Sequence, residues 1–265
     1  MNAAPDMGLK VQGLGVTLGG REILSKVSFG VKPGQVVGLI GANGAGKSTA
    51  LKAVLDILHA DYGTIKIDGA NLNALSAKER ATKLAYVPQG APVHWPLTAE
   101  RIVGLGRTPH LNPWQELSGK DQKIIEDVMT ATDCWHLRER TVTTLSGGER
   151  SRVLLARAMA VGAPYLLADE PTASLDPLHQ LQVMDIMRDV AARGVGVLIV
   201  MHDLSFALRF CDHLVLLHEG SVLADGTPDD VLTDANLEKA FGVRVTRWTG
   251  GGEQFLAPHR ARSGL

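Results

Sequence analysis

The stretch that decides the fold is Gly41-Ala42-Asn43-Gly44-Ala45-Gly46-Lys47-Ser48-Thr49, which matches the pattern G-x-x-x-x-G-K-[ST]. It follows the apolar run 36–40, typical of a strand buried on both faces, and precedes a helix with a single apolar stripe. Glycines let the backbone wrap around a polyphosphate, and the N-terminus of a helix favours negative charge. We therefore predict that these residues bind the phosphates of a nucleotide, with Lys47 at the β- and γ-phosphates and Ser48 as a ligand of Mg²⁺.

A second apolar run, 165–168, ends in the acidic pair Asp169 and Glu170. An acid at the end of a strand beside a phosphate loop holds Mg²⁺, usually through water, so Asp169 is the expected metal residue. The next carboxylate, Glu170, is then placed to polarise an attacking water as a general base. In isolation such a pair is also typical of a solvated strand end. The phosphate loop in the same chain favours the catalytic interpretation.

The segment Leu145-Ser146-Gly147-Gly148-Glu149 opens another predicted helix. A hydroxyl near the helix start, two glycines with bare N–H groups and a following acid predict a second phosphate-binding helix N-terminus, formed by Ser146, Gly147, Gly148 and Glu149. One nucleotide does not need two such sites from one chain. The expected ligand of this second site is therefore an ATP held by another copy, which makes the protein a head-to-tail dimer.

Together these motifs resemble those of ABC (ATP-binding cassette) ATPases, and three smaller matches extend the resemblance over residues 9 to about 242. Gln89 resembles the Q-loop glutamine, Ala173-Ser174-Leu175-Asp176 the D-loop, and His202 the switch histidine. The resemblance implies two ATPs between two chains, each bound by the phosphate loop of one chain and the signature (residues 145–149) of the other. Gln89 would link Mg²⁺ to a transmembrane partner, His202 would contact the γ-phosphate, and Asp176 would belong to the nucleotide site. For His202 alone, a structural histidine at a strand end is the alternative interpretation.

Two positions depart from the family pattern. Leu18 stands where the family usually has an aromatic residue that stacks on adenine, so we expect weaker stacking, by about 1–3 kcal/mol if base–aromatic stacking elsewhere is a guide. The selectivity for ATP over GTP is open for the same reason. Ala173 replaces a serine common at the start of the D-loop, which removes one possible hydroxyl contact across the dimer.

The alternation of strands and helices predicts the α/β class with a parallel sheet, and residues 91–145 give no strand signal, which predicts an all-helical insertion. The resemblance implies the full ABC ATPase architecture: a P-loop NTPase core with a parallel sheet, an N-terminal antiparallel β subdomain and an all-helical inserted subdomain. One domain would span 1–265. The core and antiparallel subdomain would cover 9–90 and 146–242, the helical subdomain 91–145, and a C-terminal tail 243–265. Because it contains Gly250-Gly251-Gly252 and a basic end, the tail is expected to be loosely ordered.

Composition limits the partners. The 265 residues include 27 Lys and Arg against 28 Asp and Glu, so no overall field favours nucleic acid, and we expect no nucleic-acid partner. Cys134 and Cys211 lack zinc-ligand spacing and are expected to be buried reduced thiols. The start of the chain, 1–8, does not resemble a secretory signal, and no apolar run reaches the about 20 residues of a membrane span. Any membrane-spanning part of the system would therefore belong to another protein.

Several stretches resemble the ATPases of importers for iron chelates, haem and cobalamin: residues 104–110, Gly148-Glu149-Arg150, 178–180 and 225–228. This resemblance implies a peripheral translocase ATPase at the cytoplasmic face of the inner membrane that uses ATP and Mg²⁺. It would work as a homodimer with transmembrane permease subunits and, indirectly, a periplasmic or extracellular substrate-binding protein. Residues 104–110 have a second interpretation, a proline-broken loop of the helical subdomain.

Another functional class stays open: a soluble ABC ATPase that drives the assembly of iron–sulfur clusters without transport, since such proteins have a similar length. A non-hydrolysing structural cassette should have lost Lys47 or Glu170, and both are present. The sequence therefore favours an importer ATPase, with the soluble assembly role as the alternative.

Overall fold

The computed structural model describes residues 7–90, 95–173 and 175–260, so Ser174 of the predicted D-loop, residues 91–94 of the predicted helical subdomain and residues 1–6 and 261–265 lie outside the described part. Its strands are β1 (Leu9–Leu18), β2 (Arg21–Val31), β3 (Val36–Gly41), β4 (Tyr62–Ile67), β5 (Ala70–Asn71), β6 (Leu84–Val87), β7 (Tyr165–Asp169), β8 (Gly196–Val200), β9 (His213–His218), β10 (Ser221–Gly226), β11 (Val243–Gly250) and β12 (Glu253–Arg260). Its α-helices are α1 (Lys47–Val54), α2 (Ala77–Lys83), α3 (Ala99–Gly104), α4 (Gly119–Ala131), α5 (Gly147–Ala160), α6 (Pro177–Ala192), α7 (Leu204–Phe210), α8 (Pro228–Val231) and α9 (Asp234–Phe241). None of these helices is long and apolar enough to cross a membrane.

A six-stranded sheet in the order β10-β9-β3-β8-β7-β6 forms the centre of the fold. Its neighbours are parallel except for β10, which pairs antiparallel with β9. Strands β3, β7 and β8 are buried along their whole length, and the apolar runs 36–40 and 165–168 predicted this for β3 and β7. Helices α5, α6 and α7 pack on one face and α1 on the other. The predicted α/β class with a parallel sheet is confirmed.

A second, antiparallel sheet has the order β2-β1-β4-β5 and confirms the predicted N-terminal antiparallel element. Its inner face packs on α1 and on the parallel sheet in one hydrophobic cluster. Tyr62 lies across β1 at Gly15, where a Cβ atom would be 2.1 Å from Cζ of the tyrosine ring. This packing places the turn between β1 and β2 beside the loop that follows β3.

The helices α3 and α4 share a separate hydrophobic cluster with Val153, Leu154, Ala156 and Ala160 of α5. Helix α4 begins after the capping residue Ser118, whose side chain accepts a hydrogen bond from the backbone N–H of Asp121. Arg107, from the importer-like stretch 104–110, is 9% exposed and donates hydrogen bonds to Asp121 Oδ1 (2.8 Å) and to the carbonyl oxygen of Ala160 (2.8 Å). Hydrogen bonds from Ser118 and Arg107 lower the pKa of Asp121 to about 2. Arg107 thus joins three helical segments, which supports the structural interpretation of that stretch.

The limits of the inserted subdomain at residues 90/91 and 145/146 stay a prediction. An isolated antiparallel bridge joins Thr98 and Thr141 near its two ends, a pairing that the helical pattern did not predict.

Both cysteines are free and buried, as predicted. Burial raises the pKa of the Cys134 thiol, and it raises that of Cys211 to about 12. Each thiol therefore stays protonated near neutral pH and behaves as a small apolar side chain.

The prediction of a loosely ordered tail is wrong for residues 243–260, which form the hairpin β11–β12. The glycines that suggested disorder make its turn: Gly250 pairs with Glu253, and Gly251 and Gly252 have φ of 61° and 83°. Two positive φ angles in a two-residue turn match the twist of the flanking strands, and glycine adopts them without strain. Leu256, 4% exposed, joins the main core, and Ser205 Oγ of α7 donates to its carbonyl oxygen at 2.8 Å.

We predict that Leu256→Ala lowers the free energy of unfolding by about 2–5 kcal/mol, because it leaves a cavity in the main core. Urea unfolding followed by circular dichroism measures this change. The control is Gln254→Ala, an exposed position two residues away, with an expected effect within about 0.5 kcal/mol. Equal stability of the two variants would show that the hairpin does not pack on the core in solution.

Candidate nucleotide site

The loop after β3 surrounds a pocket of about 850 Å³. Two glycines are required by its geometry: a Cβ atom at Gly41 (φ 152°) would lie 2.4 Å from the carbonyl oxygen of Leu217, and one at Gly46 (φ 100°) would lie 2.5 Å from Leu24 Cδ2. Helix α1 starts at Lys47 with no side-chain cap and no acidic residue in its first turn. The first N–H groups of α1 therefore face the pocket side of the loop without a side-chain acceptor. Such free N–H groups fit an anionic ligand such as a phosphate chain.

Lys47 is the buried cation of this loop, at 6% exposure. Its Nζ donates to the carbonyl oxygens of Gly41 (2.8 Å) and Ala42 (3.0 Å), so the side chain folds back over the loop. Burial lowers the pKa of the Lys47 ammonium, while the nearby charges of Glu170 and Asp169 act in the opposite direction. The ammonium is thus oriented by backbone dipoles toward the pocket that the loop encloses.

Ser48 and Asp169 form a pair of oxygen donors next to this cation. Ser48 Oγ donates to Asp169 Oδ1 at 3.1 Å, and Asp169 is 3% exposed at the end of β7. Burial raises the pKa of the Asp169 carboxyl, and the hydrogen bond from Ser48 partly offsets this effect. A hydroxyl and a carboxylate are ligands that Mg²⁺ prefers, so the donor set fits this ion.

Glu170 lies between two other predicted site residues. Gln89, after β6, donates from Nε2 to Glu170 Oε2 at 2.6 Å, and His202 Nε2, after β8, is 2.5 Å from Glu170 Oε1. The backbone of Glu170 has φ of 48°, the left-handed region that non-glycine residues rarely adopt. Such strain is concentrated at functional sites, and here it occurs at the residue whose carboxylate contacts both Gln89 and His202.

The signature residues lie elsewhere. Ser146 caps α5: its Oγ accepts a hydrogen bond from the backbone N–H of Glu149 (3.2 Å), and Glu149 Oε2 accepts one from the backbone N–H of Ser146 (2.8 Å). The lining that the structure describes for the phosphate-loop pocket contains no residue from 146–149. Gly147 instead borders a separate cleft of about 490 Å³ beside Gln89 and Glu170.

Asp176 also lies outside the described lining of the phosphate-loop pocket. It caps α6, with Oδ1 accepting from the backbone N–H of His179 at 3.0 Å, and its side chain is 59% exposed. Hydrogen bonds from His179 lower the pKa of its carboxyl. Both oxygens of this carboxylate are therefore engaged by His179, outside the described lining of the chain's own phosphate-loop pocket.

The pocket also has a wall that the sequence analysis missed. Besides Leu18, it includes Arg21 from the start of β2 and the turn His218-Glu219-Gly220 between β9 and β10. In the sequence, the only local signal for this turn is the pair Glu219-Gly220. In the structure their φ angles are 47° and 77°. Its place beside the phosphate loop depends on β9 being the neighbour of β3, which sequence periodicity does not reveal.

Comparisons with known proteins support a nucleotide site. A family model described as ABC transporter matches residues 24–173. The hemin import ATP-binding protein HmuV of Pseudomonas entomophila is 43% identical over 242 residues, 89% of this chain and 93% of that protein. The cobalamin import ATP-binding protein BtuD of Halobacterium salinarum is 42% identical over 240 residues, 90% of this chain and 60% of that protein. A chain of an inward-facing metal-chelate type ABC transporter shares the fold, with a TM-score of 0.84 at 24% identity over 97% of this chain and 99% of that one.

A phosphate loop that meets an acidic strand end at the edge of a parallel sheet defines the class of P-loop nucleoside triphosphatases. The chain belongs to the ABC transporter family. Within this family it is a nucleotide-binding subunit that hydrolyses ATP. The roles of individual residues are still predictions.

We predict that Lys47→Ala weakens ATP binding by about 10- to 150-fold, because a hydrogen bond to a charged group contributes about 1.5–3 kcal/mol. Titration with a fluorescent ATP analogue measures the dissociation constant. Lys123→Ala, which removes a 64%-exposed lysine of α4, is the control and should bind like the wild type. If Lys47→Ala retained wild-type affinity, the phosphate-loop assignment would be wrong.

Proposed function

We propose that this chain hydrolyses ATP with Glu170 as the general base and thereby energises uptake of haem, cobalamin or an iron chelate through a separate permease. The observation that carries the catalytic part is the convergence on Glu170: Gln89 and His202 hold its two carboxylate oxygens at 2.6 and 2.5 Å. A carboxylate held from both sides has a defined direction, which a general base needs.

In this proposal the phosphate chain lies along residues 41–49, with Lys47 and the first N–H groups of α1 at the β- and γ-phosphates. Ser48, Asp169 and Gln89 would hold Mg²⁺, and the ion would neutralise charge on the phosphate oxygens. Leu18 and Arg21 also line this pocket, and in this proposal the nucleobase would lie beside them. Because Leu18 offers no ring for stacking, discrimination between adenine and guanine depends on the other residues of this wall.

The attacking water needs an acceptor, and both oxygens of Glu170 already accept hydrogen bonds from the same chain. Each oxygen keeps a further lone pair, and we propose that the amide of Gln89 or the ring of His202 gives up its contact with Glu170 to let the water approach. Both residues are exposed, and Gln89 also borders the cleft with Gly147, so it is suited to this change. His202 would then turn toward the γ-phosphate while Glu170 takes the proton of the water.

Family membership implies that two cassettes act together and that a permease is a partner. The signature fits this arrangement: Ser146 and Glu149 cap each other, and residues 146–149 lie outside the described lining of the chain's own phosphate-loop pocket. We propose that residues 146–149 and Asp176 complete the ATP site of the second copy. The homodimer would then hold two ATPs between the chains.

The cargo follows from the relatives. Import proteins for hemin and cobalamin share 42–43% identity with about nine-tenths of this chain, so an importer is favoured over the soluble assembly ATPase. A substrate-binding protein outside the membrane would select the cargo. The chain itself would act as a peripheral subunit at the cytoplasmic face of the inner membrane.

We predict that Glu170→Gln lowers the ATP turnover number by roughly 10²–10⁴, the usual contribution of a general base, while ATP affinity stays unchanged. Steady-state phosphate release and nucleotide titration measure the two quantities. The control is Glu139→Gln, whose carboxylate is 81% exposed, with turnover expected to equal that of the wild type. Turnover of Glu170→Gln within about threefold of the wild type would exclude Glu170 from the role of base.

Co-purification tests the transport part. Tagged Glu170→Gln protein is isolated from detergent-solubilised cells in ATP and Mg²⁺, with Lys47→Ala, which is predicted to bind ATP about 10- to 150-fold more weakly, as the matched control. We expect a polytopic permease in near-equal amount, enriched over the control. Titration of the permease's binding protein with haem and with cobalamin then identifies the cargo. Recovery of soluble assembly proteins without a membrane partner would contradict the importer proposal and leave the ATPase activity intact.

A further inference from the structure

One contact outside the phosphate-loop pocket joins two of the sequence motifs. The ring of His179, in the first turn of α6, lies against Gly148, in the first turn of α5. A Cβ atom at Gly148 would be 2.6 Å from Cδ2 and 2.9 Å from Nε2 of the histidine. No side chain fits at that separation, so the imidazole occupies the space that the glycine leaves open.

The same ring is held on its other side. His179 Nδ1 is 2.7 Å from Asp176 Oδ2, and the backbone N–H of His179 donates to Asp176 Oδ1 at 3.0 Å. The side chain is 28% exposed, so more than two-thirds of its surface is covered. The imidazole therefore links the end of the D-loop at Asp176 to the start of the signature helix at Gly148.

A second contact continues this seam one turn further along both helices. Arg152 Nη1 of α5, a residue that is 7% exposed, donates to Gln182 Oε1 of α6 at 3.3 Å. Arg152 lies four residues after Gly148, and Gln182 three residues after His179, so each pair lies on one face of its helix. The starts of α5 and α6 are thus joined at two successive points.

We propose that His179 is a positioning residue that keeps the signature helix and Asp176 in one fixed relation, so that both reach the partner's ATP together. The ring touches no nucleotide and acts through Gly148 and Asp176. This inference rests on the proposed function, because it requires that residues 146–149 close on the ATP of a second copy. A displaced helix start would misalign its N–H groups with the phosphates, and an error of about 1 Å in such geometry can cost about 100-fold.

The first experiment measures dimerisation driven by ATP. All proteins carry Glu170→Gln, and this single variant is the parent. Sedimentation in ATP and Mg²⁺ compares the parent with two double variants, in which His179→Ala or His179→Asn is added. The asparagine amide can still reach Asp176 but lacks the ring edge over Gly148. We expect the dimer dissociation constant to rise about 10- to 100-fold, while the affinity of the monomer for ATP stays within about twofold. Asp185→Ala, an exposed position on α6, is the control and should dimerise like the parent.

The second experiment tests the contact itself through thermal unfolding of the nucleotide-free protein. Gly148→Ala should lower the melting temperature when His179 is present, because the new methyl group collides with the ring. In the His179→Ala background the same change should not lower it, because the space is free and alanine favours the helix. An equal loss of melting temperature in both backgrounds would show that the ring does not lie against Gly148 and would overturn the proposal.

The outcomes distinguish the ATP-bridged dimer from the positioning role of His179. If the Glu170→Gln parent does not dimerise in ATP, the ATP-bridged dimer is wrong and the role of His179 is wrong with it. If the parent dimerises and the His179 variants dimerise equally tightly, the dimer stands and the positioning role alone is overturned. Weaker dimerisation with unchanged ATP affinity of the monomer supports the proposal.

Discussion

The parallel register of the central sheet is the constraint on which the rest of the structure depends. Strands β3, β6, β7 and β8 run in the same direction, with Ala168 opposite Ile199 and Asp169 opposite Val200. Their carboxyl ends therefore meet at one edge, and every residue of the proposed reaction follows one of these ends. A register shift of one residue in β7 would turn its side chains to the other face of the sheet and separate the acidic pair from the phosphate loop.

Burying the charged groups of the site at this edge costs free energy, and the surrounding contacts offset that cost. Burial lowers the pKa of Lys47 and raises that of Asp169, so the charged form of each group is disfavoured by desolvation. Two backbone carbonyls and a serine hydroxyl compensate these groups, and the strained φ of Glu170 is held by hydrogen bonds from both sides. Such an edge is organised for a polyphosphate with its metal ion, whose charges complement both groups.

Structural features that depend on residues close together in the sequence were predicted correctly. The buried strand before the phosphate loop and the start of α5 at Ser146 were predicted from sequence, because an apolar run and a helix cap depend on residues within a few positions of one another. The tail was predicted wrongly, because three glycines in a row are typical both of a disordered linker and of a tight hairpin turn. What distinguishes the two is Leu256, whose burial depends on a core built from distant strands and helices.

By itself the sequence determined the family, the phosphate loop, the acidic strand end and the expected order of motifs, because each is a short pattern with a local physical reason. Only the tertiary structure decided which of these groups touch. Gln89 and Glu170 are 81 residues apart, and Glu170 and His202 are 32 apart, yet both pairs are within hydrogen-bond distance. The contact between His179 and Gly148 is of the same kind. Strand order and helix packing bring such pairs together, and no periodicity along the chain encodes that order.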